Sequence, residues 1–356
     1  MDREESEKFE LRKQDHIKLS LDPRTEAREF NDLDQIDLIH DALPEINFDQ
    51  VNPTVKTLGT ELSVPMFVSS MTAGHSGSIN INEVLATVCS RRNWLMGVGS
   101  QRRELHDISA QSEWKRIRKI APKVKLVGNI GISQLVISNM TDIQRLVDGL
   151  EATAVFVHTN PLQECFQPEG TPRFADGIRA LEKLCREVRV PVILKEVGCG
   201  FSVSTLKKIK NIGLTAVDVA GRGGTHWGRI EGYRSQSNSL LYQAAQTFKD
   251  WGISTVESLR NGKAVNPDYE LWASGGVRSG LDAAKLVAIG ANLVGMARPI
   301  LESAVEGEIS LDKKMQRFEY EFKVAMMCTG AKTLADLQTG ERWKLKKINS
   351  TFEDFI

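Results

Sequence analysis

Short apolar segments alternate with longer amphipathic segments along most of this chain. Strands that are buried on both faces form continuous apolar runs, without the polar–apolar alternation of half-exposed strands. Eight segments of this kind occur, and each predicts a buried β-strand: Pro65–Ser70, Leu95–Gly99, Lys125–Ile130, Ala154–His158, Pro191–Lys195, Ala216–Ala220, Leu271–Ser274 and Leu293–Ala297.

Helical patterns separate these predicted strands, as at Ile108–Ile120, Ala175–Val188, Leu240–Trp251 and Asp282–Ile289. Alternation of strands and helices is typical of a parallel sheet built from βαβ units. Eight strands close a barrel, whereas a doubly wound sheet usually has fewer strands per domain. The pattern therefore predicts an α/β protein with a (β/α)8 TIM barrel, and a doubly wound sheet is the alternative.

The two ends of the chain differ from its middle. Residues 1–64 are polar and poorly periodic, which predicts an N-terminal arm and lead-in to the barrel. Residues 65–300 would form the barrel, and residues 301–356 a C-terminal helical extension in which Leu311–Met327 is a closing helix. No linker separates these parts, so we expect a single domain, which 356 residues allow for this fold.

Composition and charge narrow the function classes. Basic and acidic residues number 46 each, so the net charge is zero and argues against nucleic acid or a membrane surface as the main partner. Five cysteines without a CxxC pair predict a reduced, cytoplasmic protein. The charged N-terminal residues do not resemble a signal peptide, and no apolar run is long enough to span a bilayer.

Polar or glycine-rich residues follow every predicted strand. In a TIM barrel the residues at the carboxyl ends of the strands form the functional site. The residues at these ends are Met71–Gly74, Ser100–Arg102, Asn129 and Gly131, His158–Glu164, Lys195 and Glu196, Gly221–Thr225, Ser274–Arg278 and Ala297–Pro299.

The last two strand ends indicate a phosphate site. Gly275 and Gly276 precede a predicted helix, and backbone N–H groups at such a turn bind phosphate with the help of the helix N-terminus. Arg298 follows the next strand and adds a charged donor. Phosphate sites after strands seven and eight recur in this fold.

Lys195 ends an apolar strand and has three interpretations. The first is a structural ion pair with a carboxylate such as Asp218. The second is a cation directed at a cofactor ring or a reacting carbonyl, and the third is a lysine that forms a Schiff base.

Nine sequence blocks resemble type 2 isopentenyl diphosphate isomerase, in that family's order and over Arg12 to about Leu337. The last two blocks are shared with FMN-dependent 2-hydroxy acid oxidases, whereas the first and fifth are more specific to the isomerase. The blocks are Arg12–His16, Met71–Gly74, Gly99–Arg102, Gly128–Asn129, His158–Glu164, Lys195–Gly198, Asp218–Thr225, Ser274–Arg278 and Gly295–Pro299.

The resemblance implies a TIM barrel that holds FMN and interconverts isopentenyl and dimethylallyl diphosphate, the precursors of isoprenoids. It implies Mg²⁺ on the diphosphate, reduction of FMN by NADPH, and a homo-oligomer, either a tetramer or an octamer. Moving the double bond requires a strong, well-placed acid because an unactivated alkene is a poor base. Reduced FMN would supply that chemistry while the protein orients it.

The resemblance also assigns roles to residues. The FMN contacts would be Met71, Thr72, Ala73, Ser100, Asn129, Lys195, Thr225, Gly275, Gly276, Arg278, Ala297 and Arg298. The substrate contacts would be Arg12, Lys13, Ser100, Gln101, Arg102, His158, Asn160 and Gln163. Gln163, Lys195 and His158 would act in catalysis, and Glu164 would bind Mg²⁺, because Mg²⁺ needs few protein carboxylates when a substrate supplies phosphates.

Two other functions stay open at this point. A 2-hydroxy acid oxidase or related flavin oxidoreductase would need a histidine base, for which His226 is the nearby residue. A non-catalytic flavin-binding protein would not need Gln163, Glu164 and the basic arm to converge.

Overall fold

A computed structural model describes residues 3–72, 79–105 and 107–346 of the chain. Eight parallel strands form a closed barrel, in which the last strand pairs with the first. These strands are β4 (Met66–Val68), β5 (Leu95–Gly97), β6 (Lys125–Gly131), β7 (Ala154–Thr159), β8 (Val192–Glu196), β9 (Ala216–Asp218), β10 (Glu270–Ser274) and β11 (Leu293–Met296). Each lies within one residue or two of its predicted segment, so the predicted TIM barrel is confirmed.

Helices surround the barrel and complete the strand–helix alternation. The helices are α1 (Arg3–Ser20), α2 (Ile79–Arg92), α3 (Ser112–Ile120), α4 (Ile132–Ile137), α5 (Met140–Leu150), α6 (Pro161–Phe166), α7 (Gly177–Glu187), α8 (Val203–Lys208), α9 (Trp227–Arg234), α10 (Leu240–Thr247), α11 (Thr255–Val265), α12 (Gly280–Ile289), α13 (Arg298–Glu306), α14 (Glu308–Cys328) and α15 (Leu334–Leu337). None of the helices in the described part of the chain has the length and apolar character needed to cross a membrane.

Aromatic side chains fill the barrel interior. Phe67, Phe156 and Trp272 are fully buried and contact one another, with ring centroids 5.2 to 6.1 Å apart. The hairpin of β2 (Val55–Thr57) and β3 (Thr60–Leu62) adds Leu62 to this cluster. Because the interior is packed, the chemistry is confined to the strand ends.

The N-terminal arm is more regular than the sequence predicted. Its first 18 described residues form α1, although their polar pattern gave no helix prediction. Short helical turns then lead to β1 (Ile36–Leu38), which pairs with β12 (Trp343–Leu345) near the other end of the chain. The polar pattern did not reveal α1, because contacts with the barrel such as that of His16 with Glu231, and not an apolar stripe, hold this helix.

Two predicted helix boundaries also differ. The segment from 108 to 111 is a 3₁₀ turn, and α3 begins at Ser112. Helix α10 ends at Thr247, four residues before the predicted end, and the chain turns at Phe248 to Trp251.

Candidate active site

A cavity of about 490 Å³ opens where the carboxyl ends of the barrel strands meet. This volume suits a cofactor or drug-sized ligand. Every strand contributes to it, through Thr72, Ser100, Asn129, His158, Lys195, Thr225, Gly276 and Arg298. Met71, Gly275, Arg278 and Ala297 also line it, and α1 adds Arg12, Lys13 and His16.

Two glycine turns, Gly223–Gly224 and Gly275–Gly276, form one corner of the cavity, which we call the glycine corner. Gly275 and Gly276 have φ values of +100° and +77°, which side chains rarely adopt. A Cβ at Gly276 would lie 2.6 Å from the carbonyl oxygen of Gly223, and a Cβ at Gly224 would lie 2.7 Å from the amide nitrogen of Gly276. The turns therefore meet backbone to backbone, and their exposed backbone suits a phosphate.

Arg298 lies beside this corner and is held by four groups. Its Nε lies 2.8 Å from Oε1 of Glu26 and 2.9 Å from Oε1 of Glu302. It also donates to the carbonyl oxygens of Leu21 (2.6 Å) and Asp22 (3.2 Å). The segment that follows α1 is thus anchored to the predicted phosphate-binding arginine.

Arg278 has a similar connection. It contacts Asp34 on the arm at 2.5 Å and Asp282 on α12 at 2.9 Å. The hydrogen bonds that Arg278 donates to Asp34 and Asp282 raise the pKa of this guanidinium. Asn31 on the arm also donates to the carbonyl oxygen of Gly276 at 2.8 Å, so the arm braces the glycine corner.

Lys195 both lines the cavity and forms a buried ion pair. Its Nζ lies 2.5 Å from Oδ2 of Asp218 and 3.0 Å from Oγ of Ser274. Ser274 in turn donates to Asp218 at 2.9 Å. The ion-pair interpretation is therefore correct, and the same contacts direct a fixed cation to the cavity wall.

The imidazole of His158 has a defined tautomer. Asn129 Nδ2 donates to the carbonyl oxygen of Val98 at 3.1 Å, so Asn129 Oδ1 must accept from His158 Nδ1, 2.8 Å away. Burial, and then Lys13 and Lys195, lower the pKa of His158 to about 4. The ring is therefore neutral at pH 7, and Nε2 keeps its lone pair.

Cations crowd the opposite end of the cavity. Burial, and then the neighbouring Arg12, lower the pKa of Lys13 to about 7. Burial also lowers the pKa of Arg12, and Arg102 acts in the same direction. An anion bound here would relieve this repulsion, so the arrangement favours a negatively charged ligand.

Glu164 lines the same end. Burial raises its pKa, and its Oε2 accepts a hydrogen bond from the amide of Thr171 at 2.6 Å. Within the described residues, no group of three or more histidine, cysteine or acidic side chains forms a metal site. A cation at Glu164 would therefore need ligand oxygens from a substrate and water, as Mg²⁺ accepts.

Glu231 is a site residue that the sequence did not reveal. It is fully buried on α9, and its Oε1 lies 2.9 Å from His16 Nε2 and 3.3 Å from Gln163 Nε2. Its Oε2 accepts from Arg234 at 2.7 Å. Burial raises the pKa of Glu231, but the His16 hydrogen bond and Arg234 outweigh it, so the net pKa is lowered.

Trp227 was also missed. It lines the cavity, and its ring contacts His16 edge to face at 5.1 Å. No spacing in the sequence marks Trp227 or Glu231, because their partner His16 lies more than 200 residues earlier. His16 itself belongs to the first sequence block, which was the one available signal.

Two predicted site residues do not line the cavity, and a third lies outside the described residues. Gln101 and Asn160 are buried and are not among the described residues that line it. Asn160 caps α6 by accepting from the amide of Gln163 at 2.9 Å, so it fixes its neighbour. Gln101 bonds to Glu104, and Ala73 lies outside the described residues.

His226 is fully buried and does not line the cavity. Its Nδ1 accepts from the amide of Arg229 at 3.2 Å, and its Nε2 lies 3.0 Å from the carbonyl oxygen of Trp251. Because both nitrogens are used in capping and packing, the oxidase hypothesis loses the base on which it depended.

Comparisons with known proteins agree with this geometry. Residues 158–344 match the family model described as FMN-dependent dehydrogenase. A mandelate oxidase structure with 3,3-difluoro-2-hydroxy-3-phenylpropionic acid is similar at a TM-score of 0.64 and 14% identity, covering 94% of this chain and 95% of that one. A mutant flavocytochrome b2 structure with benzoylformate is similar at a TM-score of 0.65 and 18% identity, covering 91% of this chain and 80% of that one. At these identities the structures show the fold alone.

The barrel, the glycine corner and the family model together define an FMN-dependent α/β-barrel protein. Curated relatives narrow this class. An isopentenyl-diphosphate delta-isomerase of Bdellovibrio bacteriovorus is 53% identical, over 94% of this chain and 98% of that protein. One from Legionella pneumophila is 49% identical, over 94% of this chain and 98% of that protein. One from Rickettsia africae is 39% identical, over 93% of this chain and 96% of that protein. The chain belongs to the isopentenyl-diphosphate delta-isomerase family.

Proposed function

We propose that this protein interconverts isopentenyl and dimethylallyl diphosphate, with FMN at the glycine corner and a Mg²⁺-bound diphosphate at the cationic end. The observation that carries the proposal is that one cavity is lined by two groups of residues that suit anions. The glycine corner and Arg298 are one group, and Arg12, Lys13 and Arg102 are the other; Arg102 follows β5, which is three strands from β10 around the barrel. One group suits the cofactor phosphate and the other the diphosphate.

The residues present fit FMN. Ser69 and Ser70 line the cavity, and their buried hydroxyls have no hydrogen-bond partner among the described residues. Such groups are satisfied when a polar ligand binds. The glycine corner leaves no side chain where the phosphate would lie, and Lys195 supplies a cation for a reduced, negatively charged ring. When bound, reduced FMN supplies the acid–base chemistry that the alkene requires.

The chain's own groups bind and orient the diphosphate. Arg12 and Arg102 offer planar guanidinium groups, which suit phosphate oxygens. Glu164 would hold Mg²⁺ against the same oxygens. His158 is neutral without ligand, but the negative charge of a diphosphate raises its pKa and favours a charged, donating imidazolium. Substrate binding therefore recruits His158 as a further cation.

Gln163 would position the reacting carbons. Its amide donates to Glu231 and to Gln167, so its orientation is fixed before substrate arrives. An amide is not a base, and we therefore assign it to positioning or proton relay. Helix α1 lies over this region through His16, and it would exclude bulk water from the reaction.

We further propose a homo-oligomer, a tetramer or an octamer, with NADPH as the reductant in the cytoplasm. Large apolar side chains are exposed beside α10, including Leu240 at 81% and Trp251 at 58%, which supports self-association. All five cysteines are unpaired, as a reducing compartment requires. Light scattering of the purified protein tests the oligomer.

An anaerobic assay tests the activity. Protein loaded with FMN is reduced and mixed with Mg²⁺ and isopentenyl diphosphate, and the products are followed by NMR. We expect dimethylallyl diphosphate to accumulate to an equilibrium mixture. Absence of product from protein that demonstrably holds reduced FMN would overturn the proposal. Bleaching of the flavin by a 2-hydroxy acid would instead support the oxidase alternative.

A further inference from the structure

A buried carboxylate lies behind the diphosphate end of the cavity. Glu104 is 2% exposed and is not among the described residues that line the cavity. Its Oε1 accepts from Trp114 Nε1 at 2.9 Å, and its Oε2 accepts from Gln101 Nε2 at 2.8 Å. The indole N–H and the amide NH₂ both donate, so the side chain at position 104 must offer two acceptor oxygens.

The second bond fixes the amide of Gln101. Its Oε1 accepts from the backbone N–H of Asn129 at 3.0 Å, and this N–H can only donate. The amide also packs closely against Gly128, where a side chain would not fit because its Cβ would lie 2.9 Å from Gln101 Oε1. If the amide flipped, two donors would meet, and the end of β6 would have to shift.

Asn129 then links this chain of bonds to the site. Its backbone N–H donates to Gln101, and its Oδ1 accepts a hydrogen bond from His158 Nδ1 at 2.8 Å. Val98 decides the tautomer of His158, because its carbonyl orients the Asn129 amide. Gln101 therefore helps to hold the end of β6 from which Asn129 contacts the imidazole.

We propose that Glu104 is a positioning residue: as an acceptor for two donors it orients Gln101, which places Asn129 and so aims His158 at the diphosphate. The inference rests on the proposed function for the role of His158. It assigns to Gln101 the task of aligning β6 in place of direct contact with substrate.

Burial of Glu104 opposes the ionised form that this role needs, whereas its two hydrogen-bond donors and Lys13 favour it. Burial raises its pKa to about 7, while the bonds from Trp114 and Gln101 act to lower it. Glu113 on α3 raises the pKa and Lys13 on α1 lowers it. A docked α1 thus brings the positive charge that favours the ionised, double-acceptor form.

Glu104→Gln tests the proposal, since the new amide has one acceptor for two donors. The holoprotein variant should bind Mg²⁺-pyrophosphate about tenfold more weakly in calorimetry, a change of about 1.4 kcal/mol. Its KM for isopentenyl diphosphate should rise more than its kcat falls, with FMN affinity within twofold of wild type. Unchanged pyrophosphate affinity would overturn the proposal.

A matched control is Glu319→Gln. Glu319 is also a carboxylate that accepts from an indole, Trp94 Nε1 at 2.8 Å, and burial raises its pKa too. It is not among the described residues that line the cavity. We expect this variant to lose stability and leave pyrophosphate binding unchanged, which separates positioning from the general cost of the substitution. Equal weakening by both variants would overturn the proposal.

Exchanging the two side chains gives a rescue. In the double variant Gln101→Glu, Glu104→Gln, the carboxylate at 101 accepts from Asn129 and from the amide at 104, which still accepts from Trp114. Pyrophosphate affinity should return to within about threefold of wild type, under 1 kcal/mol. A well-folded double variant as weak as Glu104→Gln alone would show a merely structural role.

A His158→Gln background gives a second measurement. There, Glu104→Gln should weaken pyrophosphate binding no further, because its effect passes through His158. A persisting tenfold loss would overturn the proposal. The variants can show the expected differences in pyrophosphate affinity while the wild-type protein forms no dimethylallyl diphosphate. In that case the proposed function fails and the role of Glu104 stands.

Discussion

The Nε2 atom of His16 lies 2.9 Å from Oε1 of Glu231, and this contact joins α1 to α9 across 215 residues of chain. Glu231 also accepts from Gln163, so one buried carboxylate orients both the helix over the cavity and an amide inside it. Because Glu231 bonds to both groups, its loss should disturb both the placement of α1 over the cavity and the orientation of Gln163.

Glu231→Gln should therefore lower kcat/KM for isopentenyl diphosphate by at least about tenfold, or about 1.4 kcal/mol of transition-state binding. FMN affinity should stay near that of wild type, because the glycine corner is untouched. Steady-state kinetics and flavin fluorescence measure the two quantities. Glu319→Gln, which removes a carboxylate that accepts from Trp94 and is not among the described residues that line the cavity, is the control. Equal losses in both variants would argue against a special role for Glu231.

Gly276→Ala should abolish tight FMN binding. The new Cβ would meet the carbonyl oxygen of Gly223 at 2.6 Å, in a backbone conformation at φ +77°. Gly59→Ala is the matched control, because Gly59 has φ +69° and no heavy atom within 4 Å of a Cβ. An alanine at either position costs about 1 kcal/mol because its backbone is left-handed. A difference in FMN affinity between the two variants therefore measures the effect of the glycine corner on cofactor binding. Equal FMN affinities would contradict this assignment.

Glu164→Gln should lose Mg²⁺-dependent turnover while FMN still binds. The carboxylate would be the protein ligand for Mg²⁺, and an amide oxygen without charge holds the ion poorly. Activity is measured as a function of Mg²⁺ concentration. Glu182→Gln on the exposed face of α7 provides a control with the same change of charge. A wild-type Mg²⁺ response in Glu164→Gln would show that the ion is held elsewhere.

Oxidised protein should bind isopentenyl diphosphate without isomerising it, and photoreduced protein should turn over many times without NADPH. No electrons leave in the overall reaction, so one reduction serves many turnovers. In deuterated solvent the product should gain deuterium at its new methyl carbon, as seen by NMR. Equal activity of both redox states would contradict this mechanism. Consumption of one NADPH per product would indicate an oxidoreductase.

His158 should give stability a defined pH dependence. Its pKa in the folded protein is about 4, below its usual value of 6.5, so the unfolded chain binds more protons between these values. Stability from the neutral ring is therefore present above pH 6.5 and is lost as the pH falls toward 4.

Glu104 and Glu196 oppose this trend, because burial raises each pKa to about 7. The measured quantity is therefore the difference in unfolding free energy between wild type and His158→Gln, from denaturant titrations at several pH values. That difference should decrease as the pH falls from 6.5 to 5. A constant difference would mean that His158 is not held neutral.

The sequence predicted the barrel well and the site in part. The eight strands could be predicted because strands buried on both faces must be apolar along their whole length. The glycine corner could be predicted because positive φ and close backbone approach restrict Gly275 and Gly276. These constraints are local, so they leave a mark at single positions.

Helix α1 shows where local pattern was insufficient. Its sequence is strongly polar, and the helix is held by partners elsewhere in the chain, such as Glu231 for His16. Gln101 shows the same effect for a site residue. It lies in a block shared with the family, yet its amide contacts Glu104 and the backbone of Asn129.

By itself, the sequence determined the eight strands, their polar carboxyl ends and the glycine corner, because burial and backbone geometry restrict which residues fit. Only the tertiary structure decided that His16, Glu231 and Gln163 form one network, and that His158 is neutral with its proton on Nδ1. Hydrogen-bond partners and burial depend on groups brought together from distant parts of the chain. No local pattern encodes them, because polar side chains are free to pair with many partners until the fold selects one.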